Sequence, residues 1–127
     1  MIKLFFDSET NSKGNFKLPA DHPSQPKIVQ LAMVLTDENC NEISFAKLLV
    51  KPEGFELSPE VIKIHGITNE YAAQNGLPLR IVVGLFYRMA EKADTIHAFN
   101  IAYDPLVIRH EMPILKNLEY KFKEKER

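Results

Sequence analysis

The sequence contains a single cysteine, Cys40, which leaves no partner for an internal disulfide and no second thiolate for a Cys-pair zinc site. It also lacks any apolar run of the roughly eighteen residues that a membrane-spanning helix needs, so no membrane role is expected. The first residues, Met1 to Phe6, pass at once into an apolar, strand-like segment. They show no basic region, long apolar core or small-residue cleavage site of a secretory leader, and a cytoplasmic location is expected. An excess of one charge is missing too, because 16 Lys and Arg stand against 17 Asp and Glu. Proteins that coat long stretches of duplex nucleic acid usually carry a basic face. Near-neutrality does not exclude a protein that meets phosphate at one point through bound divalent cations. What is present is ordinary for a globular chain, with 45% hydrophobic and 26% charged residues, and 127 residues suit one small domain, expected over 1–127.

Hydrophobic patterning gives the order of elements. Ile2 to Asp7 is apolar and aromatic and predicts a short strand, followed from Asn11 to Lys27 by a loop holding Gly14, Pro19, Pro23 and Pro26. Ile28 to Leu35 is nearly continuous and rich in apolar residues, as a central strand is, and Ile43 to Val50 is a second strand after the polar turn Thr36 to Glu42. These three segments predict an antiparallel meander. Ser58-Pro59-Glu60 has the form of a helix start, and Gly66 is placed to stop it. Thr68 is placed to cap a second short helix to about Asn75. Leu79, Val82, Val83, Phe86 and Ala90 lie on one face of an amphipathic helix from Pro78 to about Ala93. Thr95 to Phe99 is expected as a short strand, and Asp104-Pro105 opens a helix to about Met112 that Pro113 interrupts. The mixed charges of Lys116 to Arg127 are read as a solvated helix or a frayed end. The whole predicts an α/β domain with a mixed sheet.

Asp7 and Glu9 are two apart at the end of a strand, whose period of two puts both side chains on one face. Two adjacent carboxylates repel unless one is protonated or a cation lies between them, and oxygen ligands favour hard ions such as Mg²⁺ or Mn²⁺. Taken alone, an Asp-x-Glu is more often a strand end running into solvent. Asp104 follows a strand that can lie parallel to the first, a placement that recurs at catalytic sites of open α/β sheets. An Asp before a Pro is equally what a helix N-cap looks like.

Phe6-Asp7-Ser8-Glu9-Thr10 is similar to the first motif of the DEDD exonucleases, which include polymerase proofreading domains and ribonuclease T-like enzymes. His65-Gly66-Ile67-Thr68 resembles a His-Gly-Ile-Thr segment between the first and second motifs, and Asn100-Ile101-Ala102-Tyr103-Asp104 resembles the second, Asn-x-x-Phe-Asp. Three matches in order are far more specific than any one of them. Phe99 stands where many members have His, and Tyr103 replaces a Phe. The resemblance implies a ribonuclease H-like mixed sheet, an antiparallel three-strand meander plus a parallel strand with flanking helices. It also implies two divalent cations held by carboxylates, 3′-to-5′ removal of nucleoside 5′-monophosphates from single-stranded ends, and Asp7, Glu9 and Asp104 as catalytic metal ligands. Ser8 and Thr10 then offer backbone contacts to the terminal nucleotide, and Phe99, Asn100 and Tyr103 lie near enough to stack on it or hydrogen-bond it. Core packing is the commoner role for Phe99, and His65 is expected to fix the Gly66 turn rather than to catalyse.

The family's third motif, a His followed by a fourth metal-binding Asp, has no counterpart. No Asp follows Asp104, and His110, followed by Glu111, reads as a surface helix residue. The domain is therefore expected to be incomplete at its C-terminal end and weak or inactive as this chain alone. A polymerase, or a chain supplying the missing motif, is the protein partner this implies, with self-association through an uncovered apolar face. The competing class is a catalytically silent nucleic-acid-binding or interaction module on the same fold; a metal-binding domain unrelated to nucleic acid would need the matches to be chance.

Overall fold

The computed structural model describes residues 1–11, 27–98 and 121–123. β1 (Lys3–Thr10), β2 (Ile28–Thr36) and β3 (Glu42–Leu49) form the antiparallel meander that their apolar runs predict. β1 runs past Asp7 through Ser8, Glu9 and Thr10, because β2 supplies cross-strand partners as far as Ile28. In the turn between β2 and β3 the Asp37 Oδ1 accepts the amides of Asn39 and Asn41, both at 2.9 Å. Those bonds hold the Asp37 carboxyl below the usual carboxylate range, the Asn41 amide contributing most, and they frame Cys40 in a left-handed conformation at φ 62°.

α1 (Pro59–His65) starts and stops where the sequence predicts: the Ser58 hydroxyl accepts from the Val61 amide, and Gly66 closes the helix at φ 75°. α2 (Asn69–Asn75) is capped by Thr68, whose hydroxyl accepts from the Tyr71 amide at 3.1 Å. Asn69 also receives the Leu57 amide on its Oδ1 at 2.8 Å and donates its Nδ2 to the Leu57 carbonyl, so one side chain satisfies the backbone of the irregular segment before α1. After α2, Leu77 bridges Val50, and Gly76 lets the two backbones meet: a Cβ there would collide with backbone atoms of Val50, Lys51 and Ala72.

α3 (Leu79–Lys92) buries Val82, Phe86 and Ala90, the predicted face. β4 (Thr95–Ala98) then runs parallel to β1. Asp94 fixes that pairing by accepting the Ile2 amide on its carboxylate at 2.7 Å and donating its own amide to the Ile2 carbonyl at 2.7 Å. β5 (Phe122–Lys123) adds a parallel pair on the outer side of β4. For Phe122 and Lys123 this corrects the reading of the tail as a solvated helix or frayed end: mixed charges report that side chains meet water, whereas the edge of β4 offers backbone partners that the sequence pattern does not reveal, and the rest of the tail apart from Lys121 lies outside the described residues. Lys121, just before β5, donates its Nζ to the Ala90 and Glu91 carbonyls, both at 3.1 Å, and so satisfies the C-terminal end of α3. The helix expected from Asp104 to Met112 and the loop between Asn11 and Lys27 lie outside the described residues, except that Asn11 and Lys27 pair and close the loop's base.

The sheet order is β3-β2-β1-β4-β5, a mixed sheet with β1 at its centre. One face carries the main core, in which Leu4, Phe6, Leu31, Met33, Leu35 and Ile96 pack under Val82, Phe86 and Ala90 of α3. The Phe6 and Phe86 rings meet edge to face, 5.3 Å between centroids. Val29, Leu57, Ile67 and Ala72 form a smaller cluster that anchors α1 and α2 to the sheet. No helix among the described residues is long and apolar enough to cross a membrane.

Gly76→Ala is expected to destabilise the chain by about 1–3 kcal/mol through backbone overpacking, against about 1–2 kcal/mol for Gly66→Ala, whose only burden is the left-handed conformation; urea unfolding measures both. For Asp37, a depressed pKa means stability that is present above the unfolded value and lost as pH falls through the folded one. Asp37→Ala should therefore lower the melting temperature at pH 7 and have a smaller effect in acid.

Candidate active site

Along β1 the side chains alternate strictly. Leu4, Phe6, Ser8 and Thr10 are buried on the α3 side, while Lys3, Phe5, Asp7 and Glu9 are half-buried on the other. Asp7 and Glu9 thus share one face, as the period of two predicts, with Cα atoms about 7 Å apart. The ladder shifts register between Glu9 and Thr10, an irregularity of the kind that re-aims side chains beside functional sites. Partial burial raises the Glu9 pKa above its ordinary value, the Asp7 charge adds to the rise, and His65 and Lys47 oppose it. The pair is therefore held at an electrostatic cost that a cation between the two carboxylates would remove.

Register sets the neighbours. Asp7 pairs with Ala32 and Ala32 with Lys47, so a row Asp7, Ala32, Lys47 crosses three strands on this face. The next row is Glu9, Gln30, Leu49, and the preceding one is His97, Phe5, Val34, Phe45. In that preceding row Phe5 and His97 stack at 4.9 Å, and the His97 Nε2 meets the Thr95 hydroxyl at 2.8 Å. The position of Lys47 beside the carboxylates was not legible in the sequence, because it depends on a pairing between strands that are distant along the chain.

His65 does what a helix-end histidine is expected to do and one thing more. Its Nδ1 accepts the Ile67 amide at 3.1 Å, which fixes the turn over Gly66 and places the ring proton on Nε2. That Nε2 faces the Thr10 carbonyl at 3.3 Å and ties α1 to β1 one residue past Glu9. Both ring nitrogens thus meet backbone groups, and His65 brackets α1 to β1. Ser8 and Thr10 turn their side chains into the opposite face, where both are buried, which leaves only their backbone for a nucleotide, and the Thr10 carbonyl already faces His65. β4 reaches this end of the sheet with Ala98 beside Phe6. Phe99, Asn100, Tyr103, Asp104 and His110 lie outside the described residues. Among the described residues no three His, Cys, Asp or Glu side chains converge to hold a metal; Asp7 and Glu9 are the two expected ligands that are described.

A raised Glu9 pKa contributes stability that is full below the unfolded value and lost as pH rises through the folded one. In chelator, Glu9→Gln is therefore expected to melt above the parent chain at pH 7, with the gap closing below about pH 4, as thermal scans will show. His65→Ala should cost about 1–2 kcal/mol through two lost hydrogen bonds, with faster amide exchange in α1.

Residues 4–125 match the RNase T family model, described as an exonuclease. No curated protein sequence shows a significant match. Among solved structures, exonuclease I from Methylocaldum szegediense is 26% identical over 87% of this chain, with a TM-score of 0.67 and 23% of its own length covered. Escherichia coli exonuclease I in complex with a dT13 oligonucleotide is 23% identical over 94% of this chain and 23% of its own, with a TM-score of 0.70. A product-bound exonuclease I gives 24%, 94%, 25% and 0.71 in the same order of identity, coverage of each chain and TM-score. The chain thus spans about a quarter of the length of these relatives. The match along residues 4–125, the mixed sheet with β1 at its centre and the Asp7–Glu9 pair converge on one family, and the chain belongs to the RNase T exonucleases of the DEDD superfamily, with their ribonuclease H-like fold.

Proposed function

We propose that this chain is the Asp7–Glu9-bearing part of a 3′-to-5′ exonuclease that removes nucleoside 5′-monophosphates from single-stranded ends of DNA or RNA. The observation that carries the reading is the half-buried carboxylate pair on one face of the central strand, where the Glu9 pKa is raised by burial and by Asp7. Two carboxylates held this close and partly buried repel each other unless a cation lies between them, and all-oxygen donors fit Mg²⁺ or Mn²⁺. Asp7, Glu9 and Asp104 would hold two such ions, which supply, when bound, activation of a water and neutralisation of charge on the leaving 3′ oxygen. The ribose and base of the last nucleotide would be oriented by the backbone of Ser8 and Thr10, by Asn100, and by stacking on Phe99 or Tyr103.

No Asp follows Asp104, so residues 1–127 offer three carboxylates where the family uses four, and no histidine in the position of its general base. On this reading the stretch alone is weak, and full activity needs the missing pair of side chains from further sequence or from a second chain; a polymerase is the other partner class. The rival reading is a silent nucleic-acid-binding module on this fold, which has no need to keep a cation site.

The test is hydrolysis of a 5′-labelled single-stranded oligonucleotide with Mg²⁺ or Mn²⁺, by this chain, by a version carrying a third motif and by Asp7→Ala in each. Expected are shortening from the 3′ end to monophosphates, a gain of roughly a hundred- to ten-thousand-fold when the base is supplied, and loss in Asp7→Ala. Mn²⁺ is also expected to raise the melting temperature of the parent chain and not of Asp7→Ala. No hydrolysis in any form, together with no cation effect on melting, leaves the silent module as the better reading.

A further inference from the structure

We infer that β3 is a track for single-stranded nucleic acid beside the carboxylate pair, with the Lys47 ammonium on a backbone phosphate and the Phe45 ring stacked on a base. The inference rests on the nuclease reading and deepens it. Register brings both residues to the Asp7 face: Lys47 stands in the row of Ala32 and Asp7, and Phe45 in the row of Val34 and Phe5. With strands about 4.8 Å apart, the Lys47 Cα lies about 10 Å from that of Asp7, and Phe45 lies about 7 Å farther along the strand. Only the methyl group of Ala32 stands between Lys47 and Asp7 in their row.

Both side chains are presented outward. Phe45 is 55% exposed, Lys47 is exposed, and β3 is the last strand of the sheet. Neither ion pair among the described residues involves Lys47. An aromatic ring left open on a last strand is by itself equally a protein-packing surface. Lys47 decides between the two, because lysine is depleted from the centres of protein interfaces, whereas grooves for single strands combine a cation that follows the phosphates with aromatic faces that accept any base. A strand whose end is held at Asp7 and Glu9 meets this ammonium and ring as it continues across the sheet, which recovers locally the positive charge that the whole chain lacks.

The experiment is fluorescence anisotropy of a labelled single-stranded oligonucleotide with the 127-residue chain in Ca²⁺, titrated at several salt concentrations. The variants are Lys47→Gln, Lys47→Arg, Phe45→Leu and, as a control on α3, Lys92→Gln. Expected for Lys47→Gln is weaker binding with the slope of log affinity against log salt reduced by about 0.7, the value for one lost phosphate contact on a single strand; Lys47→Arg keeps the slope. Phe45→Leu should weaken binding roughly tenfold with the slope unchanged, and Lys92→Gln should bind as the parent does. Parental affinity and slope in both Lys47→Gln and Phe45→Leu overturn the inference alone, as does a change of oligomeric state in those variants without a change in binding, which would assign the face to a second copy of the chain. A parent chain that binds no oligonucleotide with or without Ca²⁺ overturns the inference, while the nuclease reading is decided separately by hydrolysis in the version carrying a third motif.

Discussion

The rest of the structure hangs on β1 being paired along both edges, antiparallel to β2 and parallel to β4. A strand with both sets of backbone groups satisfied can sit at the middle of a sheet, and its alternation then sorts every side chain between two unlike environments. Leu4 and Phe6 go to the core under α3, while Asp7 and Glu9 go to the other face. The same rigid backbone that buries the apolar half thereby fixes two carboxylates side by side. Their Cα atoms cannot move apart without breaking the ladder that holds the sheet together.

That arrangement carries an electrostatic cost. Glu9 is raised in pKa by partial burial and by Asp7, so the metal-free chain carries a local repulsion that the packing of Phe6 against Phe86 and of α3 against the sheet must offset. Cation binding would convert that burden into affinity. The surroundings are built to hold the site still: His65 links the end of α1 to Thr10, and Asp94 clamps the start of β1 to β4. α1 and α2 are in turn anchored through Val29, Leu57, Ile67 and Ala72, and through the contact at Gly76 that admits no side chain.

Family membership and fold agree with the geometry, yet they speak for a region about a quarter the length of the exonuclease I relatives. What the described residues place on one face is two acids on the central strand with Lys47 of β3 two strands away, beside a parallel strand described as far as Ala98, level with Phe6.

The sequence alone determined what is encoded within a few residues. Ser58, Pro59 and Gly66 bounded α1, Thr68 began α2, the spacing of Val82, Phe86 and Ala90 gave the buried face of α3, and a two-residue gap put Asp7 and Glu9 on one face, because caps and periodicity act over a turn or a strand. Tertiary structure decided what depends on partners far along the chain. The extension of β1 to Thr10 came from β2, the pairing of Phe122 and Lys123 as β5 came from the edge of β4, and the reach of His65 to Thr10 came from packing α1 on the sheet. The row that sets Lys47 against Asp7 likewise exists only once β1, β2 and β3 are in register. A one-residue slip would send either side chain to the opposite face, and no pattern within a single strand records which register its neighbours will choose.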